Sequence, residues 1–304
     1  MKSLPGAPSP TARTLISSTN LYLIGIVLFA LMLVGTFSDY AISLTLYTPD
    51  STFALFFAAY GEFPLFLVLG SSGTLFLMGW DGQRRFIGYV EIGGGTALLA
   101  VAVAGGIMIP GENLACPFLG LTIISIPLIG GVAYLTYLAA RTASRQTIIK
   151  VAVAFVAIAF LEVLVVSVLK VLWERPRMRM ISSLSDGTWF MPWYSPGFAE
   201  KDAFLALGVD SGEFKSFPSG HSANAAMAMT ATAFAAFPPL RDKATWLLWG
   251  GFTYTLVVMF SRIIAGAHYL TDTVVGAGIT FVAMVIAYQV LFPPHKGRHS
   301  NIAG

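Results

Sequence analysis

Eight stretches of the chain approach the ~20 apolar residues that a helix needs to cross a hydrocarbon core of about 30 Å. They lie at about 20–38, 63–80, 88–109, 118–140, 148–170, 219–239, 245–264 and 270–292. In lipid, every backbone polar group must be satisfied within the span or its barrel, so stretches of this length are read as helices. Composition removes the soluble alternative. The chain is 56% hydrophobic and 11% charged, whereas soluble domains carry about a quarter charged residues. Aromatics at 13% and a single cysteine, Cys116, exclude disorder and a disulfide framework. The expectation is an all-α integral membrane protein with about eight transmembrane helices. A net charge of +3, dispersed along the chain, gives no nucleic-acid partner.

Basic residues set the expected orientation. They fall in the N-terminal tail (Lys2, Arg13), the 81–87 loop (Arg84, Arg85), the 141–150 loop (Arg141, Arg145, Lys150), the 240–244 loop (Arg241, Lys243) and the C-terminal tail (Lys296, Arg298). Segments 39–62 and 110–117 carry none. This alternation places both termini in the cytoplasm of a multi-pass protein of the cell (inner) membrane, with 171–218 on the outer face. The tail 1–13 has no cleavable leader pattern, so the first span is expected to remain. Three regions follow: 1–147, a tail and four transmembrane helices of unassigned role; 148–292, a catalytic bundle with its outer loop; and 293–304, a cytoplasmic tail. Residues 48–62 are expected as a short interfacial piece and 199–208 as a short amphipathic turn. Trp189, Phe190, Trp193, Tyr194 and Phe198 are read as an interfacial belt, with a lid over a site as the second reading. Paired glycines at 93–95, 105–106, 130–131 and 250–251 are read as helix-packing surfaces.

Polar groups are costly in a membrane, so their positions are informative. His295 and His299 lie in the tail and are assigned no role. His221 closes FPSGH (217–221) at the start of a span, and His268 lies in SRIIAGAHYLTD (261–272) between two spans. LKVLWERPRM (169–178) precedes the long outer segment. Three fragments far apart in sequence thus bring Lys, Arg, Ser, Gly and His to one depth. Ser219 is a natural N-cap, and the first-turn amides beside Gly220 form an anion site. On a continuous helix Lys170 and Arg177 stand within about 20° of one another, whereas Arg175 stands about 140° from Lys170. Arg177 is therefore the expected partner, with Arg175 at an exposed mouth where substitution to lysine is silent. His268 and Asp272 are four apart, within reach for the carboxylate to accept the imidazole Nδ1–H. Two histidines, one aimed by a carboxylate, beside three cations read as phosphoryl transfer through a phosphohistidine. No metal or other cofactor is expected. Asp39, Glu62 and Glu91 are read as carboxylates tolerated by structure alone, as is Glu162 within its span.

Lys170 with Arg177 seven later, Pro218-Ser219-Gly220-His221, and Ser261-Arg262 with His268 and Asp272 together resemble the three-part signature of the type 2 phosphatidic acid phosphatase superfamily. That superfamily includes membrane lipid phosphatases. The first part departs from the pattern, with Met178 where proline usually follows the arginine. The resemblance covers 170–272. It implies His268 as nucleophile, Asp272 as its orienting carboxylate and His221 as general acid, with Lys170, Arg177, Ser219, Gly220 and Arg262 binding phosphate.

The leading reading is a metal-independent phosphatase acting on a phosphorylated lipid at the outer face of the bilayer. A phosphotransferase using the same site, and a non-catalytic anion-binding transporter or scaffold, are the alternatives. Among substrates, phosphatidate, phosphatidylglycerol phosphate, a prenyl diphosphate and a lipid A-type phosphate stay open, an outward site suiting the prenyl diphosphate best. The orientation is checked by reporter fusions at residues 84 and 200, which are expected on opposite sides; the same sidedness at both overturns it.

Overall fold

The computed structural model describes residues 15–114, 118–184 and 187–293. Lys2, Arg13, Cys116, His295, Lys296, Arg298 and His299 lie outside the described residues. The helices run in the order α1 (Ser18–Leu46), α2 (Thr52–Tyr60), α3 (Phe63–Met78), α4 (Arg85–Asn113), α5 (Phe118–Ala140), α6 (Arg145–Trp173), α7 (Met178–Ser183), α8 (Lys201–Ala206), α9 (Gly220–Ala226), α10 (Ala244–Ile264) and α11 (Leu270–Leu291). Among the described residues, seven helical segments are long and apolar enough to span a membrane. The protein is an all-α, multi-pass membrane-type chain.

Two expected spans take a different form. The stretch from 52 to 78 is one apolar run bent at Gly61 and Glu62, with α2 forming the short piece and α3 opening on Pro64 in its first turn. Proline is tolerated there because the first-turn amides have no intrahelical acceptor. The stretch 219–239 is α9 followed by a 3₁₀ helix, Met227–Ala236. Within it the Thr230 and Thr232 hydroxyls donate to carbonyls three residues back, at 2.6 and 2.7 Å. α10 lies directly on this segment, since a Cβ on Gly251 would stand 2.5 Å from Met229 N. Met227, Met229 and Ala233 are fully buried, so this is an interior element of the bundle.

The core is built on α6, whose Phe155 and Ile158 are fully buried among α3, α11 and the 3₁₀ helix. The opposite flanks carry exposed apolar side chains such as Phe37, Phe160 and Val290, as a lipid-facing surface requires. Of the glycine pairs, Gly95, Gly105, Gly106 and Gly251 make close helix contacts, whereas Gly93, Gly94, Gly130, Gly131 and Gly250 face open space. An apolar cavity of about 740 Å³ lies between α2, α3, α5 and α10, walled by Tyr60, Phe63, Phe234 and Trp246 among others.

Two close approaches fix the end of the bundle that matters below. α1 meets α11 at Gly35, where a Cβ would lie 2.8 Å from the Thr271 methyl. α11 meets the start of α9 at Gly276, where a Cβ would lie 2.2 Å from the Ser219 carbonyl oxygen. The neighbouring Gly278 has nothing within 4 Å of such a Cβ. Gly276→Ala is expected to lower thermal stability by about 1–3 kcal/mol, the usual cost of overpacking, while Gly278→Ala leaves the melting temperature unchanged. Parallel melts of the purified variants check this.

Candidate active site

Four chain segments converge at one end of the bundle: the end of α6 with the link to α7, the start of α9, the end of α10, and the loop into α11. The segment from Trp173 to Ser219 folds back over them. Its aromatic residues do not form a lipid-facing belt. Phe198, Phe204 and Phe214 are buried with Met180 in a small core of their own, flanked by Trp189 and Met191. This core clamps a cap whose residues reach into the site. Trp173 donates from its indole to the Trp193 carbonyl at 2.5 Å, and Trp193 donates to the Thr36 hydroxyl of α1 at 3.0 Å. Of the aromatics first read as a belt, Tyr194 remains exposed.

The cations come first. α6 ends at Trp173 because Glu174 adopts a left-handed conformation, φ 49°. Lys170 and Arg177 therefore do not share a helix face, contrary to the spacing argument. They come close because the chain turns at Glu174–Pro176 and restarts a helix at Met178. Met178 occupies the first position of α7, where a proline would be accommodated, and is completely buried. The backbone amide of Arg177 is held by the Glu213 carbonyl at 2.8 Å. Lys170 donates from Nζ to the Lys215 carbonyl at 3.1 Å. Arg262, at the end of α10, is 4% exposed. Lys170, Arg177, Arg262, His221 and His268 all lie within electrostatic reach of one another or of a shared neighbour. Buried Nε of Arg177, and Nε and Nη1 of Arg262, have no hydrogen-bond partner among the described residues. Buried charged donors without acceptors are costly, so these nitrogens describe a site for an anion.

Ser219 caps α9, accepting from the Ser222 amide at 3.3 Å, while its own amide donates to the Asp272 carbonyl at 2.9 Å. Gly220 faces the Lys170 side chain, a Cβ there lying 3.6 Å from Lys170 Cε. His268 is 2% exposed. Its burial, reinforced by nearby Lys170 and Arg177, holds it well below the ordinary histidine value of 6.5. The ring is therefore neutral at pH 7.

The partner of His268 differs from the expected one. Nδ1 lies 2.5 Å from the Ser216 carbonyl oxygen and 3.9 Å from the Asp272 carboxylate, too far for a hydrogen bond. The fourfold spacing fails because His268 stands before α11, whose first residue is Leu270. Asp272 instead accepts from the Ser216 hydroxyl at 2.5 Å, from the Tyr269 amide at 2.9 Å and from Arg175 at 2.5 Å. It thus holds the residue that holds His268. A carbonyl only accepts, so Nδ1 carries the hydrogen and Nε2 keeps its lone pair.

Arg175 is likewise not at an exposed mouth. It has no exposed surface and lies between Asp272 and Asp39 of α1, the latter at 3.0 Å, and donates also to Thr271 and the Met191 carbonyl. The Tyr269 ring stacks on it, 4.1 Å from the guanidinium carbon. Asp39 accepts from the Thr271 amide at 3.0 Å and from its hydroxyl. Glu62 also comes to the site, 2.9 Å from His221 Nδ1. Glu91 has a different partner, Arg145, and ties α4 to α6. Asp39, Glu62, Arg175 and Ser216 were missed because their partners lie on other helices; a carboxylate near a span end with no local cation was the available signal.

The fold and this end of the bundle define a multi-pass helical membrane protein with a cationic, histidine-bearing anion site. The PAP2 superfamily matches residues 131–295, more than half of the chain. The protein belongs to this superfamily, whose members are generally phosphatases. No curated protein and no solved structure matches the chain.

Removing one partner of a buried ion pair costs about 3–5 kcal/mol, because the other charge stays buried, and lysine cannot replace a guanidinium spanning two carboxylates. Arg175→Lys is therefore expected to lower the melting temperature and turnover together. Arg177→Lys is expected to lower turnover with the melting temperature kept. Melting and turnover measured on both variants decide it; a silent Arg175→Lys overturns the assignment.

Proposed function

We propose that the protein is a metal-independent phosphatase for a phosphorylated lipid, a phosphate monoester or a diphosphate, acting at the outer membrane face through a phosphohistidine. The observation that carries this reading is the set of unpartnered buried guanidinium nitrogens on Arg177 and Arg262 beside a neutral, buried His268. An anion-binding protein would need the guanidinium groups alone. A neutral imidazole with Nδ1–H anchored on a carbonyl and a free lone pair on Nε2 is the state a nucleophile requires.

In the first half-reaction, the Nε2 lone pair of His268 forms a bond to phosphorus as the bond from phosphorus to the lipid oxygen breaks. His221 gives a proton to that oxygen. Lys170, Arg177 and Arg262, with Ser219 and Gly220 at the start of α9, hold the equatorial oxygens, which carry most charge at the transition state. In the second half, His221 takes a proton from water, whose oxygen attacks phosphorus. The nitrogen–phosphorus bond breaks and inorganic phosphate leaves. Asp272 and Arg175 position the loop that carries His268. No step calls for a metal ion or a cofactor. The apolar flanks of the bundle support a lipid as the leaving group. The outer placement of the site rests on the basic loops described above.

His268→Ala is expected to abolish phosphate release from a detergent-dispersed lipid phosphate, and His221→Ala to reduce it by about 10²–10⁴-fold. Vanadate, which mimics the five-coordinate transition state, inhibits, and chelators do not. Turnover retained by His268→Ala, or lost to a chelator, overturns the reading.

A further inference from the structure

His221 is held at both ring nitrogens by the corner between α2 and α3, which lies outside the region matched to the superfamily. Nδ1 is 2.9 Å from Oε1 of Glu62, and Nε2 is 3.0 Å from the carbonyl oxygen of Ala58. A carbonyl has no hydrogen to give, and an ionised carboxylate has none either. A neutral imidazole carries a single N–H, so in either tautomer one of these contacts would set a lone pair against a lone pair. The imidazolium, with two N–H groups, fills both.

Burial works against a charge on Glu62. His221 itself, the Asn224 side chain of α9, which hydrogen-bonds to it, and Lys170 of α6 work in favour of one, and Arg262 at the end of α10 is also within electrostatic reach. Glu162 of α6 also faces Glu62, and His268 faces His221 from the loop before α11. The neutral state of His268 leaves no second imidazolium to oppose the first.

We propose that the α2–α3 corner is a cradle that keeps His221 doubly protonated, with Glu62 its positioning residue. The general acid then enters the reaction already carrying its proton. The use of that proton rests on the phosphatase reading; the protonation itself does not. On donation, the Nε2–H moves from the Ala58 carbonyl to the leaving oxygen while Nδ1–H stays on Glu62. The Nε2 lone pair then faces a carbonyl that repels it and is available to take a proton from water, which restores the starting state. A role for the N-terminal helices follows: they supply the carboxylate that serves the acid.

Histidine-selective ¹⁵N NMR of the full-length protein in detergent at pH 7.5, with His221 assigned by its loss in His221→Gln, reads the ring directly. Two protonated nitrogens are expected in the wild type, one in Glu62→Gln, and two again in Glu62→Asp. A neutral His221 in the wild type overturns the cradle whether or not the protein turns over. In kinetics, Glu62→Gln is expected to lower kcat for an alkyl phosphate by about 10²-fold and for p-nitrophenyl phosphate by less than about threefold, since a good leaving group needs little acid help. KM stays unchanged. Equal losses on both substrates would make Glu62 a merely structural residue and also overturn the proposal. His268→Ala silences both substrates if the phosphatase reading holds; retained turnover there sinks that reading and leaves the spectrum to decide the cradle.

Discussion

The end of the bundle is organised by one guanidinium. Arg175 is taken wholly out of water, and burying a lone charge would cost several kcal/mol. The structure offsets this by surrounding it with acceptors: Asp39 from α1, Asp272 from α11, Thr271 and the Met191 carbonyl. These partners come from three separate parts of the chain: α1, the cap and the start of α11. Satisfying the one charge therefore requires α1, the α6–α7 link, the cap and α11 to be in place together. Gly35 is the steric condition for this, because α1 must approach Thr271 closely enough for Asp39 to reach it.

From that centre the order propagates by short steps. Asp272 fixes the Ser216 hydroxyl, and the Ser216 carbonyl fixes His268. The Asp272 carbonyl holds the Ser219 amide, which sets where α9 begins and so where His221 leaves the helix. Asp272 thus reaches the histidine only through a serine, its own carboxylate being taken up by Arg175, Ser216 and the Tyr269 amide. Arg177 at Nε, and Arg262 at Nε and Nη1, have no acceptor among the described residues. Arg175, by contrast, is fully occupied by the protein.

The sequence made the spans legible because bilayer thickness imposes a length, and the three motifs legible because their residue types are costly in a membrane. What it hid follows from where helices stop. The arithmetic linking Lys170 to Arg177 assumed a helix through Glu174, where the chain turns left-handed. The pairing of His268 with Asp272 assumed a helix that begins only at Leu270. Asp39 and Glu62 looked like tolerated charges because neither has a local cation; their partners are 136 and 159 residues away along the chain, separations of Arg175 from Asp39 and His221 from Glu62. The span at 219–239 has the composition of a membrane helix, and only packing against α10 shows it as a short α-helix continued by a 3₁₀ segment.

The cap over the site shares backbone with the chemistry beneath it. Lys170 leans on the carbonyl of Lys215, and His268 on the carbonyl of the very next residue, Ser216. Raising the cap would release Lys170 and unseat His268 in one movement. The cap and the end of the bundle beneath it are thus fastened as one unit, expected to come apart together rather than one after the other.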